Sequence, residues 1–270
     1  MCGIFGYRGK RLDAGKIVVE GLKNLEYRGY DSWGVACMRK EGISVKKDIG
    51  KISAVESDDF SESCCLALAH TRWATHGGVT PANAHPHLSR DGSIAVVHNG
   101  IIENHLELKE ELSKKGYAFV SQTDTEVIPY LIEEEMKSGK EFPAAFRSAC
   151  VRFHGRYAIL AFHEKSGMLV ASRTGSPLIV GVGSDGYYIA SDIPAFVSHT
   201  RTVQYIDDGE MVETDGETIT FRDIATGEER QKREIKITWT EEQSEKGSFA
   251  HFMIKEIMEE PVVVKRLLVS

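Results

Sequence analysis

Short apolar runs of strand length alternate with amphipathic stretches of helical period along most of the chain. Residues 2–9 read as a short buried strand ended by Arg8-Gly9. Ala14, Ile17, Val18, Gly21, Leu22 and Leu25 then recur at the spacing of one helix face, with Asp13 as the expected N-cap. A polar, aromatic loop runs from Glu26 to Ser32, followed by a strand from Trp33 to Met38 and its hairpin partner at Ile43 to Val45. Cys64 to Ala69 reads as a strand entering the polar loop 70–78, and Ser93 to Val97 as one ending in the turn His98-Asn99-Gly100. Helices are expected from Asn104 to Lys115, ended by Gly116, and from Ala144 to Phe153. Between them lies a helix carrying Val127, Ile128, Leu131, Ile132 and Met136 on one face, with Ser121 to Thr125 offering N-caps and Pro129 near its first turn.

The second half is strand-rich, with short apolar runs at 157–162, 168–172, 178–182 and 187–190 punctuated by Gly175, Gly181, Gly183 and Gly186. The pattern continues through Gln204-Tyr205-Ile206, Met211-Val212 and Thr218 to Phe221. Residues 235–245 are polar and irregular. An amphipathic helix is predicted from Phe249 to Glu260, broken by Pro261, and the apolar stretch Val262 to Leu268 reads as a linker toward a further part. The expected division is a domain over 1–245 and a C-terminal helix and linker over 246–270.

Composition narrows the class. A chain of 270 residues holds one large domain or two small ones, and 41% apolar with 27% charged residues is ordinary for a globular protein. A net charge of −7 argues against a general nucleic-acid binder. The five cysteines (Cys2, Cys37, Cys64, Cys65, Cys150) follow no spacing of a disulfide framework or paired zinc site, and no apolar run is long enough to span a bilayer. No leader pattern precedes Cys2, so a reducing cytoplasmic setting is expected, with no membrane partner.

The candidate chemistry starts at Cys2. Removal of Met1 would put a thiol and a free α-amine on one residue, a nucleophile with a base attached. Acyl chemistry at a thiol needs donors for the developing oxyanion, and Asn99-Gly100 offers a side-chain amide beside a glycine N–H; the same pair also fits an ordinary hairpin turn. A zwitterionic substrate needs a guanidinium and a carboxylate, for which Arg72 and Asp124 are candidates; Asp124 also fits a helix N-cap. His85-x-His87 lies in a histidine-rich stretch, but carboxylate or thiol partners at ligand spacing are missing, and loop hydrogen bonding is the preferred role. No metal or other cofactor is expected.

Six ordered motifs carry a resemblance. Cys2-Gly3-Ile4, Tyr27-Arg28-Gly29-Tyr30-Asp31-Ser32, His70 to Gly77, Asn83-Ala84-His85-Pro86-His87, His98 to Asn104 and Ser121 to Glu126 together resemble the glutaminase domains of the glucosamine-6-phosphate synthase family. These are class II glutamine amidotransferases, also called glutamine–fructose-6-phosphate aminotransferases. The likeness continues through Ala171 to Leu178 and Ala190-Ser191-Asp192. It implies an α+β fold, the four-layer αββα sandwich of N-terminal nucleophile hydrolases. It implies Cys2 as nucleophile toward the side-chain amide of L-glutamine, with Asn99 and Gly100 as oxyanion hole and Arg28 supporting the nucleophile's surroundings. Arg72 and Asp124 would hold the glutamine α-carboxylate and α-amine, with Thr75 and His76 nearby. Residues 72–80 would close over glutamine, and Trp73 would gate the passage of ammonia. Fructose 6-phosphate would be bound only by isomerase domains absent from this chain, and the full enzyme would be a homo-oligomer. Trp33 departs from the family, which more often has a small residue there. Amidophosphoribosyltransferase and asparagine synthetase domains are the near alternatives within the class, and a non-catalytic regulatory module is the alternative outside it.

Overall fold

The computed structural model describes residues 2–75, 77–238 and 252–269. It divides into a compact unit ending at Lys236 and a second unit from Ile237 onward. In chain order the strands of the first unit are β1 (Gly3–Gly9), β2 (Ser32–Arg39), β3 (Gly42–Ile49), β4 (Leu66–Arg72), β5 (His87–Leu88), β6 (Ile94–Gly100), β7 (Tyr157–His163) and β8 (Leu169–Thr174). They continue with β9 (Ile179–Val182), β10 (Gly186–Ala190), β11 (Thr202–Tyr205), β12 (Glu210–Thr214), β13 (Ile219–Asp223), β14 (Glu229–Arg230) and β15 (Ile235–Lys236). The helices are α1 (Ala14–Lys23), α2 (His105–Lys114), α3 (Val127–Lys137) and α4 (Phe142–Val151).

Two sheets result. One runs β15-β11-β9-β10-β1-β4-β2-β3 and the other β14-β13-β12-β8-β7-β6-β5, with every pairing between these strands antiparallel. Period-two alternation explains how they stack. Along β7, Ala158, Leu160 and Phe162 join Leu68, Val97 and Val180 in the core between the sheets. The intervening Tyr157, Ile159 and Ala161 join Ile128, Leu131, Phe142 and Phe146 of α3 and α4 in a second core. Both faces of β7 are thus buried, and it reads as a continuous apolar run. Helix α1 packs on β1, β4 and β2 of the other sheet. The order is helix, sheet, sheet, helices: the αββα sandwich.

Several boundaries differ from the sequence reading. β4 runs on through His70-Thr71-Arg72, and β6 through His98-Asn99-Gly100, where loops were expected. Both extensions pair with strands distant in sequence, Gly3 and Ser32 for β4 and Tyr157 for β6. Asp13 sits at the start of α1 without capping it, because both of its carboxylate oxygens take hydrogen bonds from Arg11. Trp33 packs edge-on to Phe60. Among the described residues of the second unit, the helix α5 (Phe252–Val269) continues through Pro261 where a break was expected. A proline forfeits a single helical N–H, which a helix can sustain. Residues 249–251 of that predicted helix lie outside the described residues. Among the described residues no helix is long and apolar enough to cross a membrane.

Close packing of α1 on β1 sets a sign that helix propensity alone would invert. A Cβ added to Gly21 would lie 2.2 Å from Phe5 Cε1 and 2.3 Å from the Ala195 carbonyl oxygen. An exposed helical glycine gains about 1 kcal/mol on replacement by alanine, whereas overpacking costs about 1–3 kcal/mol. Gly21→Ala is therefore expected to lower the urea midpoint of unfolding; an unchanged or raised midpoint would show that α1 can lift off the sheet at no cost.

Candidate active site

Antiparallel pairing places the start of β1 beside the end of β4, since Gly3 pairs with Thr71. Cys2 is therefore held against Arg72 and Trp73 by the sheet itself. The Trp73 N–H donates to Cys2 Sγ at 3.2 Å, and the Trp73 carbonyl lies 3.6 Å from the same sulfur. From the second sheet, the end of β6 reaches the same edge: Asn99 Nδ2 donates to the Cys2 carbonyl at 2.9 Å. Three strand ends thus meet at one cleft of about 280 Å³, a volume at the low end for a small-molecule site.

The loop between α1 and β2 supports this edge. Arg28 Nε donates to the Cys2 carbonyl at 3.2 Å, and its Nη1 pairs with Asp192 Oδ2 at 3.0 Å. Tyr27 OH donates to the same carboxylate oxygen at 2.6 Å. Asp31 accepts the Ala74 N–H on Oδ2 at 2.8 Å and gives its own N–H to the Arg72 carbonyl. Gly29 is required by approach: an added Cβ would fall 2.8 Å from the Arg72 carbonyl carbon and 2.9 Å from the Trp73 nitrogen. Gly100 is required by conformation as well, with φ +107° and the Arg156 carbonyl oxygen 2.0 Å from where a Cβ would stand. Asn99 and Gly100 belong to a strand paired with β7, so the hairpin-turn reading of the pair is overturned.

Arg72 is buried at the end of β4, where desolvation pushes its guanidinium below its usual range while Cys2, Asp124 and Asp31 favour the cation. Its Nη1 donates to the Gly78 carbonyl at 3.1 Å. That carbonyl also accepts from Asn83 Nδ2, the Gly78 N–H donates to Gln122 Oε1, and Gln122 N–H donates back to Asn83 Oδ1. The Trp73 indole lies half exposed beside Tyr30, with ring centroids 5.4 Å apart.

Asp124 caps no helix. Its Oδ2 accepts the Ile102 N–H at 2.8 Å, and α3 begins three residues later. The segment before α3 is folded by Glu126, which is buried and accepts from the N–H groups of Val120 and Ser121 and from the hydroxyls of Ser121 and Tyr130. Cys2, Arg28, Arg72, Trp73, Thr75, Asn99, Gly100 and Asp124 all line the cleft. His76 and Met1, which the sequence reading also singled out, lie outside the described residues. Thr123, Ser176 and Pro177 line it as well, and the sequence analysis assigned them no part in the site. Ser176 and Pro177 lie between β8 and β9, within the stretch Ala171 to Leu178 that carried part of the resemblance without a role attached to it.

Burial raises the Cys2 thiol above its ordinary value, opposed by the Trp73 N–H, Arg72 and Arg28. At neutral pH the sulfur therefore rests as a thiol. Behind it lie four fully buried histidines: His70, His85, His87 and His98. Desolvation lowers all four, His70 to about 3 and His85 and His87 well below their usual range. Among the described residues no group of three or more His, Cys, Asp or Glu is arranged to hold a metal ion.

The chain matches the glutamine amidotransferase domain family over residues 53–223. It is 48% identical over 268 residues to the glutamine–fructose-6-phosphate aminotransferase [isomerizing] of Pyrococcus horikoshii, covering 98% of this chain and 45% of that protein. It is 44% identical over 270 residues to the same enzyme of Thermus thermophilus, covering 99% of this chain and 44% of that protein. The chain thus spans less than half the length of these curated relatives. Among solved structures, B. subtilis glutamine phosphoribosylpyrophosphate amidotransferase superposes with a TM-score of 0.71 at 26% identity, covering 83% of this chain and 50% of that one. An allosteric regulatory enzyme of purine biosynthesis superposes with a TM-score of 0.72 at 28% identity, covering 83% and 49%.

The buried histidines set an acid limit on the fold. Below about pH 6.5 the unfolded chain binds protons at these positions that the folded chain refuses, so stability is fully present above 6.5 and lost as pH falls. Each histidine contributes a slope approaching about 1.4 kcal/mol per pH unit once the pH is well below 6.5. Unfolding free energies from urea titrations at pH 7.5, 6 and 5 are expected to fall with a slope of several protons; a flat profile would mean that these imidazoles are protonated in the fold.

Proposed function

Since the chain belongs to the glutamine amidotransferase domain family, we propose that it hydrolyses the side-chain amide of L-glutamine to glutamate and ammonia through a thioester on Cys2. Within a longer polypeptide like its relatives, that ammonia would convert fructose 6-phosphate to glucosamine 6-phosphate. The observation that carries the reading is the convergence of Cys2, Arg72, Asn99 and Gly100 from the two sheets, and of Asp124 from the segment before α3, on one cleft.

Each role follows from chemistry and position. Arg72 presents a fork suited to the α-carboxylate of glutamine, and Asp124 a carboxylate suited to its ammonium. Fixing both ends of the zwitterion leaves the side-chain amide to reach the sulfur. Thr75 and Trp73 close the near side of the substrate. With Met1 removed, the α-amine of Cys2 takes the thiol proton as Sγ bonds to the amide carbon. The carbonyl oxygen becomes an oxyanion, met by Asn99 Nδ2 and the Gly100 N–H. The α-ammonium returns the proton to the departing nitrogen, the C–N bond breaks, and ammonia leaves. Water then adds to the thioester, the amine again serving as base, and Cys2 is regenerated as glutamate departs. Arg28 holds the Cys2 carbonyl and so orients the residue. A cleft closed by Trp73 keeps ammonia from water, where it would be protonated and lost as a nucleophile.

The test is ammonia release from glutamine by the processed chain. Cys2→Ala is expected to abolish it while leaving the fold unchanged by circular dichroism. A chloroketone analogue of glutamine should add once per chain at Cys2, read by peptide mass. Turnover in Cys2→Ala, or no adduct on a chain shown to lack Met1, would refute the mechanism. Asn99→Ala is expected to lower kcat about 10²–10³-fold. Arg72→Lys should act mainly on KM, raising it roughly tenfold through loss of the bidentate fork; a pure kcat effect would take the α-carboxylate away from Arg72.

A further inference from the structure

A primary amide presents two ends of almost equal size and opposite polarity. An oxyanion beside Asn99 is stabilised by the NH₂ end and repelled by the oxygen end, so the Asn99 role proposed above depends on which end faces Cys2. We propose that His70, through a hydrogen bond to Asn99, is the positioning residue that fixes this orientation. This rests on the glutaminase reading and adds to it a residue that touches neither substrate nor nucleophile.

The geometry forms a chain of polarity. His70 Nε2 lies 3.1 Å from the His98 carbonyl oxygen and 3.0 Å from Asn99 Oδ1. A backbone carbonyl can only accept, so Nε2 must carry the proton. A donor at Nε2 then requires an acceptor on Asn99, which turns Oδ1 toward His70 and leaves Nδ2 for the Cys2 side, where it lies 2.9 Å from the Cys2 carbonyl. The other ring nitrogen agrees with this tautomer. His70 Nδ1 is buried and meets no hydrogen-bond partner among the described residues, which suits a bare nitrogen better than an N–H. His70 itself cannot swing away: it sits in β4 with no exposed surface, and the His85 ring lies 4.2 Å from its own. A neutral imidazole is what the arrangement needs, and complete burial supplies it.

Two substitutions separate this role from ordinary core packing. His70→Met fills the site without a donor, and His70→Gln can place an amide N–H near the position of Nε2. His70→Met is expected to lower kcat for glutamine hydrolysis about 10–100-fold with KM within about twofold, while still taking one chloroketone adduct at Cys2. His70→Gln should recover most of that loss. In Asn99→Ala, adding His70→Met should cost less than about threefold more, because the orientation it guards is already gone. Unchanged kcat in His70→Met, losses that multiply with Asn99→Ala, or a His70→Gln variant that takes the adduct yet is as slow as His70→Met would each overturn the proposal. Wild-type protein that releases no ammonia would instead overturn the glutaminase reading.

Discussion

The hydrogen bond from Asn99 Nδ2 to the Cys2 carbonyl joins the two sheets at the edge where the cleft opens. Apolar packing between the sheets sets their spacing, but it is non-directional and does not by itself fix how the ends of β1 and β6 face each other. A directional bond between those ends removes that freedom. It also explains the density of polar support nearby. Arg28 and Asn99 both converge on one backbone carbonyl, and Asp192, Tyr27 and His70 hold those two in turn. Most buried polar groups in a folded protein keep a hydrogen-bond partner, so each such group helps to fix the next.

The same logic accounts for the histidines. Four imidazoles in an apolar sandwich are costly unless neutral, and neutral imidazoles have one donor and one acceptor each. His98 Nδ1 meets the Thr125 hydroxyl, His87 Nε2 meets Thr123, and His85 Nδ1 faces the His98 N–H. Thr123 and Thr125 flank Asp124, so the cluster also anchors the segment that carries this carboxylate to the cleft. The tract that resembled a metal site at the level of residue type is built as a hydrogen-bonded wall of the cleft, with His85 and His98 lining it.

Much of this was legible in the chain itself. The period-two and period-3.6 patterns located most strands and all of α1 to α3 within a few residues, because those elements bury a face determined locally. What escaped was set by partners far away in sequence. His98-Asn99-Gly100 looks like a turn until β7, nearly sixty residues on, supplies the pairing, and Arg72 looks like loop until Gly3 and Ser32 flank it. Asp124 looks like a cap because nothing in its neighbourhood shows that Ile102 is the donor it meets. Ser176 and Pro177 reach the cleft through the connection that crosses from β8 of one sheet to β9 of the other. The ordered motifs placed Cys2, Arg72, Asn99, Gly100 and Asp124 together by resemblance, and the fold brings all five to one cleft; their distances and orientations required the tertiary structure.

Gly29 packs against the peptide between Arg72 and Trp73, with no room for a Cβ. That peptide carries the Trp73 N–H that meets the Cys2 sulfur, and its plane ends at the Arg72 Cα, from which the side chain of the buried guanidinium departs. Any side chain at position 29 would push on this one rigid plane, displacing sulfur donor and cation by the same stroke. The contact to the Cys2 sulfur and the placement of the Arg72 side chain thus share a single mechanical coordinate.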